Sequence, residues 1–304
     1  MSKNQVLKGT FLVAFGATSY GMLATFVKMA YDEGYTTAEV TISQFILGIA
    51  GILIINWFQK ANNKNEVVKA TKKNIFQLML AGTSMGLTSV FYYISVRYIP
   101  VSIAIVLLMQ TVWIGLLLEM ILEKKIPSKQ KIMAALVVLI GTLMATNIFK
   151  NEIQLDWKGF VMGMLAACSF TTTMFTANRV GLEISSAQRS LYMLLGGIII
   201  VLAFGIATQN TPFHYSIFLK WGIILSLFGT IIPPILMNAG FPLTGIGLGS
   251  IVSALELPVS VLMAYFLLHE KVVLLQWAGI LLIILAIILM NVNSKKSNTT
   301  DYQD

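Results

Sequence analysis

The sequence predicts an all-α membrane protein of ten transmembrane helices, arranged as two five-helix repeats of inverted topology. Three observations predict it. First, the 304 residues are 57% hydrophobic and only 11% charged, with a mean hydropathy of +0.80, against about 45–50% apolar and about 25% charged in a soluble domain. Second, the apolar residues gather into ten runs, each near the roughly 20 residues that carry a helix across the hydrocarbon layer. Third, the last runs of the two halves end alike.

The runs fall at 10–30, 38–58, 74–94, 101–121, 131–149, 157–177, 189–208, 218–238, 246–267 and 273–292. The segment before the first carries Lys3 and Lys8, and the apolar stretch after it is long enough to span, so Phe11–Met29 is expected as a retained helix rather than a cleaved signal. Loops between runs are short, apart from the polar, lysine-rich Gln59–Lys73, and none has room for a soluble domain. Gly82–Gly86 and Gly159–Gly163 are spaced for close helix approach, Pro233-Pro234 should bend the eighth run, and Gly245, Gly247 and Gly249 should loosen the start of the ninth. The polar tail 294–304 is expected to be disordered and cytoplasmic.

The net charge of +8 does not point to nucleic acid, because the basic residues sit in alternate loops. Lys3 and Lys8, the lysines from Lys60 to Lys73, Lys124 to Lys131, Arg179 with Arg189, and Lys295 with Lys296 all fall on one side of an alternating thread. That is the positive-inside pattern. It predicts an integral protein of a bacterial plasma membrane with both termini cytoplasmic, its partners the lipid bilayer and a small-molecule solute, as a monomer or a homodimer. The single cysteine, Cys168, reads as a small helix-packing residue, and His214 and His269 are far apart, so neither a metal nor a cofactor is expected.

Leu117–Lys124 reads LLEMILEK and Ala264–Lys271 reads AYFLLHEK; each is followed by a short polar break and a final apolar run. Upstream, Leu108 to Val112 stands where Leu255 to Val259 stands in the second half. The halves are residues 1–149 and 150–293. Five is an odd number, so the second half enters the membrane from the opposite side. Inverted repeats place a substrate site between two similar bundles near the midplane.

These residues resemble a known family. Phe15-Gly16-Ala17-Thr18-Ser19-Tyr20-Gly21 in the first run, Tyr92 through Pro100-Val101-Ser102, the Leu255–Val259 segment and the two Glu-Lys ends are similar, in order and spacing, to EamA-like members of the drug/metabolite transporter superfamily. The resemblance covers the chain to about residue 292. It implies a ten-helix carrier of small metabolites. Two positions depart from the family pattern: Ala17-Thr18 stands where a tryptophan is common, and Gln44 where an arginine is often found. Gln44 therefore belongs among the candidate substrate or gating positions.

Glu256 is the sharpest candidate. A carboxyl amid Leu255 and Leu257 is costly in hydrocarbon, so it is expected to face a cavity, find a partner or be protonated. It could bind an amine, take up a proton, or make a structural hydrogen bond. Gln110 stands as its approximate counterpart in the first half, with Trp113 within a turn. Tyr20, Tyr92, Tyr93 and Tyr265 complete the expected substrate-binding set, since a phenol in a span wants a partner for its hydroxyl. Thr171-Thr172-Thr173 and Asn238 add polar atoms, the threonines serving equally to satisfy the backbone behind them.

The leading function class is an exporter of small organic metabolites, amino acids among them, working by alternating access. No phosphate-binding Gly-rich motif is present, so ATP hydrolysis is not its energy source. A sugar-nucleotide or lipid-precursor carrier would want basic residues at mid-depth, and no arginine stands there. An intramembrane enzyme would want a nucleophile with a base, paired aspartates, or metal ligands within the spans, and none is present.

Overall fold

The computed structural model describes residues 3–62, 68–99, 101–146 and 156–293. The helices are α1 Lys3–Asp32, α2 Thr37–Asn62, α3 Lys72–Tyr98, α4 Val101–Leu108, α5 Thr111–Glu123, α6 Lys129–Ala145, α7 Trp157–Arg179 and α8 Ser186–Thr208. They continue with α9 Ile223–Ser226, α10 Ile232–Thr244, α11 Ile246–Ser253, α12 Glu256–Leu267 and α13 Leu274–Asn293. π-helical turns at Phe218–Gly222 and Leu227–Ile231 join α9 and α10 into one rod. Among the described residues, eight segments are long and apolar enough to cross a membrane, and Leu274–Met290 is a shorter apolar one. With α6, which carries Lys129 and Lys131 in its first turn, the rods number ten. Large apolar side chains such as Phe76, Ile121, Ile206 and Leu219 stand exposed around the outside, as lipid-facing surface requires. The tail 294–304, Pro100, Asn147 and residues 63–67 of the lysine-rich Gln59–Lys73 segment lie outside the described residues.

The rods pack as an inverted repeat. α1 packs on α10 as α7 packs on α3, α1 on α11 and α12 as α7 on α4 and α5, and α2 meets α8 and α6 meets α13. Local chemistry repeats with them. Gly34 and Gly181 adopt positive φ after the first helix of each repeat, a turn glycine makes without steric cost. A capping box follows each: Thr36 with Glu39 in the first repeat, Ser185 with Gln188 in the second. At the far end of the fourth rod of each repeat, a glutamate pairs with a cation ending the first helix of the other: Glu123 with Arg179, and Glu270 with Lys28. The two pairs lie on opposite faces of the bundle.

The face holding the start of α1 also holds Lys60, Lys72, Lys124, Lys125 and Lys129. The opposite face has fewer cations, and several are engaged: Lys28 by Glu270, Lys220 by Glu33 at 2.8 Å, and Lys158 over the Tyr98 ring at 5.8 Å. Hydrogen bonds from Lys220 and from the Trp221 indole hold the Glu33 carboxyl below the usual carboxylate range.

Close crossings are made by glycine. A Cβ at Gly82 or Gly196 would overlap the backbone of Met193 or Met79, so α3 and α8 touch backbone to backbone. Gly159 and Gly163 instead make room for side chains, those of Ile99 and Leu107. Gly245, at φ 78, makes the turn into α11, but Gly247 and Gly249 pack closely against Glu119 and Phe241; the start of the ninth rod is held, not loose. Cys168, expected in helix packing, is exposed on the outer surface.

Two runs expected to be continuous are broken. The fourth rod breaks at Met109-Gln110 and the ninth at Ala254-Leu255, each through tightened i→i−3 bonds such as Gln110 N–H to Leu107 O at 3.0 Å and Leu255 N–H to Val252 O at 3.1 Å. The breaks are equivalent and set the register between repeats. Gln110 matches Leu255, so the counterpart of Glu256 is Thr111, one residue past the expected Gln110.

Candidate functional site

The two repeats enclose a cavity of about 110 Å³ near mid-depth. Rods from both contribute: Tyr20 from α1, Gln44 from α2, Thr88, Ser89 and Tyr93 from α3, Thr173 from α7, Gly229 and Thr230 from the π-turn, and Glu256 from α12. Among the described residues lining it, Glu256 is the only charged group. The ninth-rod break positions it. Pro258 contributes no N–H, the helix restarts at Glu256, and Gly21 of α1 packs against the Glu256 carbonyl and Val259. The carboxyl interacts electrostatically with the phenols of Tyr20 and Tyr92.

Gln44 is 6% exposed, and its amide lies across Gly229, where any Cβ would strike it. Its backbone carbonyl accepts the Thr230 hydroxyl at 2.9 Å. The π-turn is a consequence of Pro233-Pro234, whose rings cannot follow a normal α-turn. Ile232 N–H reaches back five residues to Leu227 O. This frees the carbonyl of Phe228 from Ile232, and the Ser19 hydroxyl of α1 donates to it at 3.0 Å. Pro233 and Pro234 likewise bring no N–H to the carbonyls one turn back, those of Gly229 and Thr230, and both residues line the cavity.

Aromatic rings close over the cavity on the face away from the N-terminus. Tyr93 packs edge-on to Tyr31 with centroids 6.4 Å apart, and Phe26 stacks on Phe228 at 5.5 Å. Val27, Ala30, Val40, Ile217 and Leu225 fill in around them. Toward the other face, a void of about 20 Å³ shares Tyr20, Phe170 and Thr173 with the main cavity and ends at Asn238. Asn238 is held by Arg189, a residue only 3% exposed. The Arg189 guanidinium donates to the carbonyls of Asn238 at 2.6 Å, Val180 at 3.0 Å and Thr176 at 3.4 Å, and to that of Ala177. The Asn238 carbonyl needs this donor because the residue one turn on is Pro242. The carbonyls of Ala177 and Val180 stand at the end of α7, where a helix runs out of its own donors, and that of Thr176 also accepts the Val180 N–H at 2.9 Å. Asn238 Nδ2 donates to Ser190 Oγ at 2.8 Å, and its Oδ1 is buried without a protein partner.

Of the expected set, Tyr20, Gln44, Tyr93 and Glu256 come together at the cavity. Tyr92 lies beside it, packed on Ile99, Ile103, Ala104 and Leu107. The other three stand away from it. Gln110 turns back on its own helix, donating to the Val106 carbonyl at 2.9 Å and accepting the Trp113 indole N–H at 2.8 Å. That carbonyl is the one the break deprives of its α-helical partner. Trp113 is 39% exposed on the outer surface, and Tyr265, 41% exposed, packs edge-on with Phe266 and Trp277 there. In a membrane both settings are apolar, so an aromatic ring gains as much against lipid as against protein. Thr171, Thr172 and Thr173 each donate to the carbonyl one turn back, and Thr171 also bonds Thr111 at 2.7 Å.

Sequence reading missed Thr88, Ser89 and Thr230 at the cavity and the burial of Arg189; the hydroxyls carried a signal, as polar side chains at mid-span, and Arg189 carried none. Among the described residues no cluster of three or more His, Cys, Asp or Glu side chains could hold a metal ion.

The EamA-like transporter family matches residues 7–147 and again 157–292, one match to each repeat. The chain belongs to the EamA-like transporter family. It is therefore an integral membrane protein of a transporter family. A solved crystal structure superposes with a TM-score of 0.75 at 13% identity, covering 95% of this chain and 99% of that one, and shows the same fold. No curated protein matches the sequence.

Proposed function

We propose that this EamA-like protein carries small amphipathic organic solutes, amino-group-bearing metabolites such as amino acids among them, outward across a bacterial plasma membrane. Both termini are cytoplasmic on this reading, and the halves 1–149 and 150–293 act as two bundles that expose the cavity alternately to each face. The observation that carries the reading is the cavity itself: it lies between the repeats, at the two helix breaks, and is lined by hydroxyls, one amide and one carboxyl amid apolar walls. At about 110 Å³ it is smaller than the roughly 300–1,000 Å³ that drug-sized ligands occupy, and suits a metabolite of a few heavy atoms. Interrupted helices at a repeat interface are how membrane carriers present polar groups at mid-depth. Among the described residues no basic side chain lines the cavity, which weighs against a phosphorylated cargo such as a sugar nucleotide.

Placing bulk in the cavity tests this. Ser89→Phe should abolish solute counterflow in proteoliposomes while the protein stays monodisperse, since Ser89 lines the cavity and its hydroxyl reaches only the Met85 carbonyl, at 3.4 Å. Undiminished counterflow by Ser89→Phe would show that the solute takes another route.

A further inference from the structure

We infer that the solute this cavity accepts is a net-positive organic amine, held with its ammonium against Glu256 and its apolar part among the aromatic rings. The inference rests on the reading of the cavity as the solute site and names the chemistry of that solute.

The charges around the cavity are one-sided. Among the described residues lining it, Glu256 is the only acidic or basic one, with no lysine, arginine or histidine beside it. The helices packed on α12 supply no counter-ion either. α13 contains no titratable residue, α1 presents Tyr20 while its Lys28 is paired with Glu270, and α6 carries its lysines in its first turn, where Lys131 is paired with Glu119 at 2.6 Å. Across the cavity, α3 presents Tyr93, with Tyr92 beside it. The groups that face Glu256 are therefore phenols, and a carboxylate there has no protein cation to neutralise it. A carboxylate at this depth, away from bulk water, is stabilised by one.

The rest of the lining favours the same sign of charge. Tyr20, Tyr93, Phe45 and Phe170 line the cavity, and ring faces attract alkylammonium groups. Gly229 and Thr230 line it as well, and their carbonyls lack the N–H donors that Pro233 and Pro234 cannot supply. A carbonyl is an acceptor only, and three N–H donors of a primary ammonium match such groups. An anion would meet the opposite arrangement, a carboxyl with no base to offset it. A zwitterion would place its own carboxylate in the same field, with only hydroxyls and the Gln44 amide to receive it.

Four probes that share one branched chain separate these cases: isoamylamine, isoamyl alcohol, leucine and isovalerate, titrated by calorimetry into the purified full-length protein, wild type and Glu256→Gln. The expected result is that isoamylamine binds best, and that its affinity falls by about 30-fold or more in Glu256→Gln, the scale of losing one partner of a buried charge pair. Thermal unfolding of Glu256→Gln in detergent, expected near that of the wild type, controls for loss of fold, and the preference of the wild type for the amine over the alcohol is read without any variant. Equal binding of the alcohol or the acid, undiminished amine binding by Glu256→Gln, or no binding of the amine overturns the inference. Leucine or isovalerate bound in place of the amine, and lost in Ser89→Phe, would overturn the charge assignment while leaving the cavity as the solute site. Binding of every probe unaffected by Ser89→Phe would reject the cavity as well.

Discussion

Glu256→Gln is expected to remove solute flux while leaving the fold intact. Glutamine keeps the size and most of the hydrogen-bonding capacity of the side chain and removes only the charge. No structural partner is lost: among the described residues, no hydrogen bond or ion pair engages the Glu256 carboxyl. Packing against Gly21 is through the backbone carbonyl and Val259, which the substitution does not touch. The expected loss of counterflow in proteoliposomes, at matched protein level, is about 30-fold or more, with thermal unfolding in detergent near that of the wild type. Flux and pH profile both unchanged would reduce Glu256 to a bystander and leave transport to Gln44 and the tyrosines.

Arg189→Met should do the reverse and act first on stability. The guanidinium is the shared donor for carbonyls of α7 and α10, and one of these, at Asn238, has no other helix donor because of Pro242. Methionine fills the space and strands the carbonyls of Asn238, Ala177 and Val180, each buried unsatisfied group costing about 1–3 kcal/mol. A total near 3 kcal/mol or more is expected. Arg189→Lys should recover part of it, since an ammonium has donors but not the planar fork that spans several acceptors at once. Unfolding by denaturant in mixed micelles measures this; a change within about 0.5 kcal/mol, the range of an uninvolved surface site, would mean that the network is dispensable.

These two residues show what the sequence could and could not say. Glu256 was legible because one carboxyl in an apolar run has few inexpensive settings. Arg189 was not. It stands at a run's edge among loop cations, and its burial depends on α7 ending where it does and on a proline in another repeat helix. The ten-rod repeat was legible because span length and loop charge answer to the bilayer, whose thickness does not depend on tertiary detail. Which side of a rod faces inward was not legible, since lipid is as apolar as a protein core and helix periodicity loses its contrast. Trp113 and Tyr265 illustrate this: both were expected at the cavity by depth, and both face out. Gln110 was placed one residue off because the register of the repeats is fixed by backbone breaks at Met109-Gln110 and Ala254-Leu255, which no side-chain pattern announces.

Alternating exposure of the central cavity is most directly tested by thiol labelling. Cys168 is the only cysteine, so Cys168→Ser gives a clean background, and Ser89→Cys places a near-isosteric thiol in the cavity wall. A membrane-impermeant maleimide is then applied to right-side-out and to inside-out vesicles. The account predicts labelling from both sides, slowed from both by saturating solute. Labelling from one side only, or labelling that solute does not slow, would contradict it.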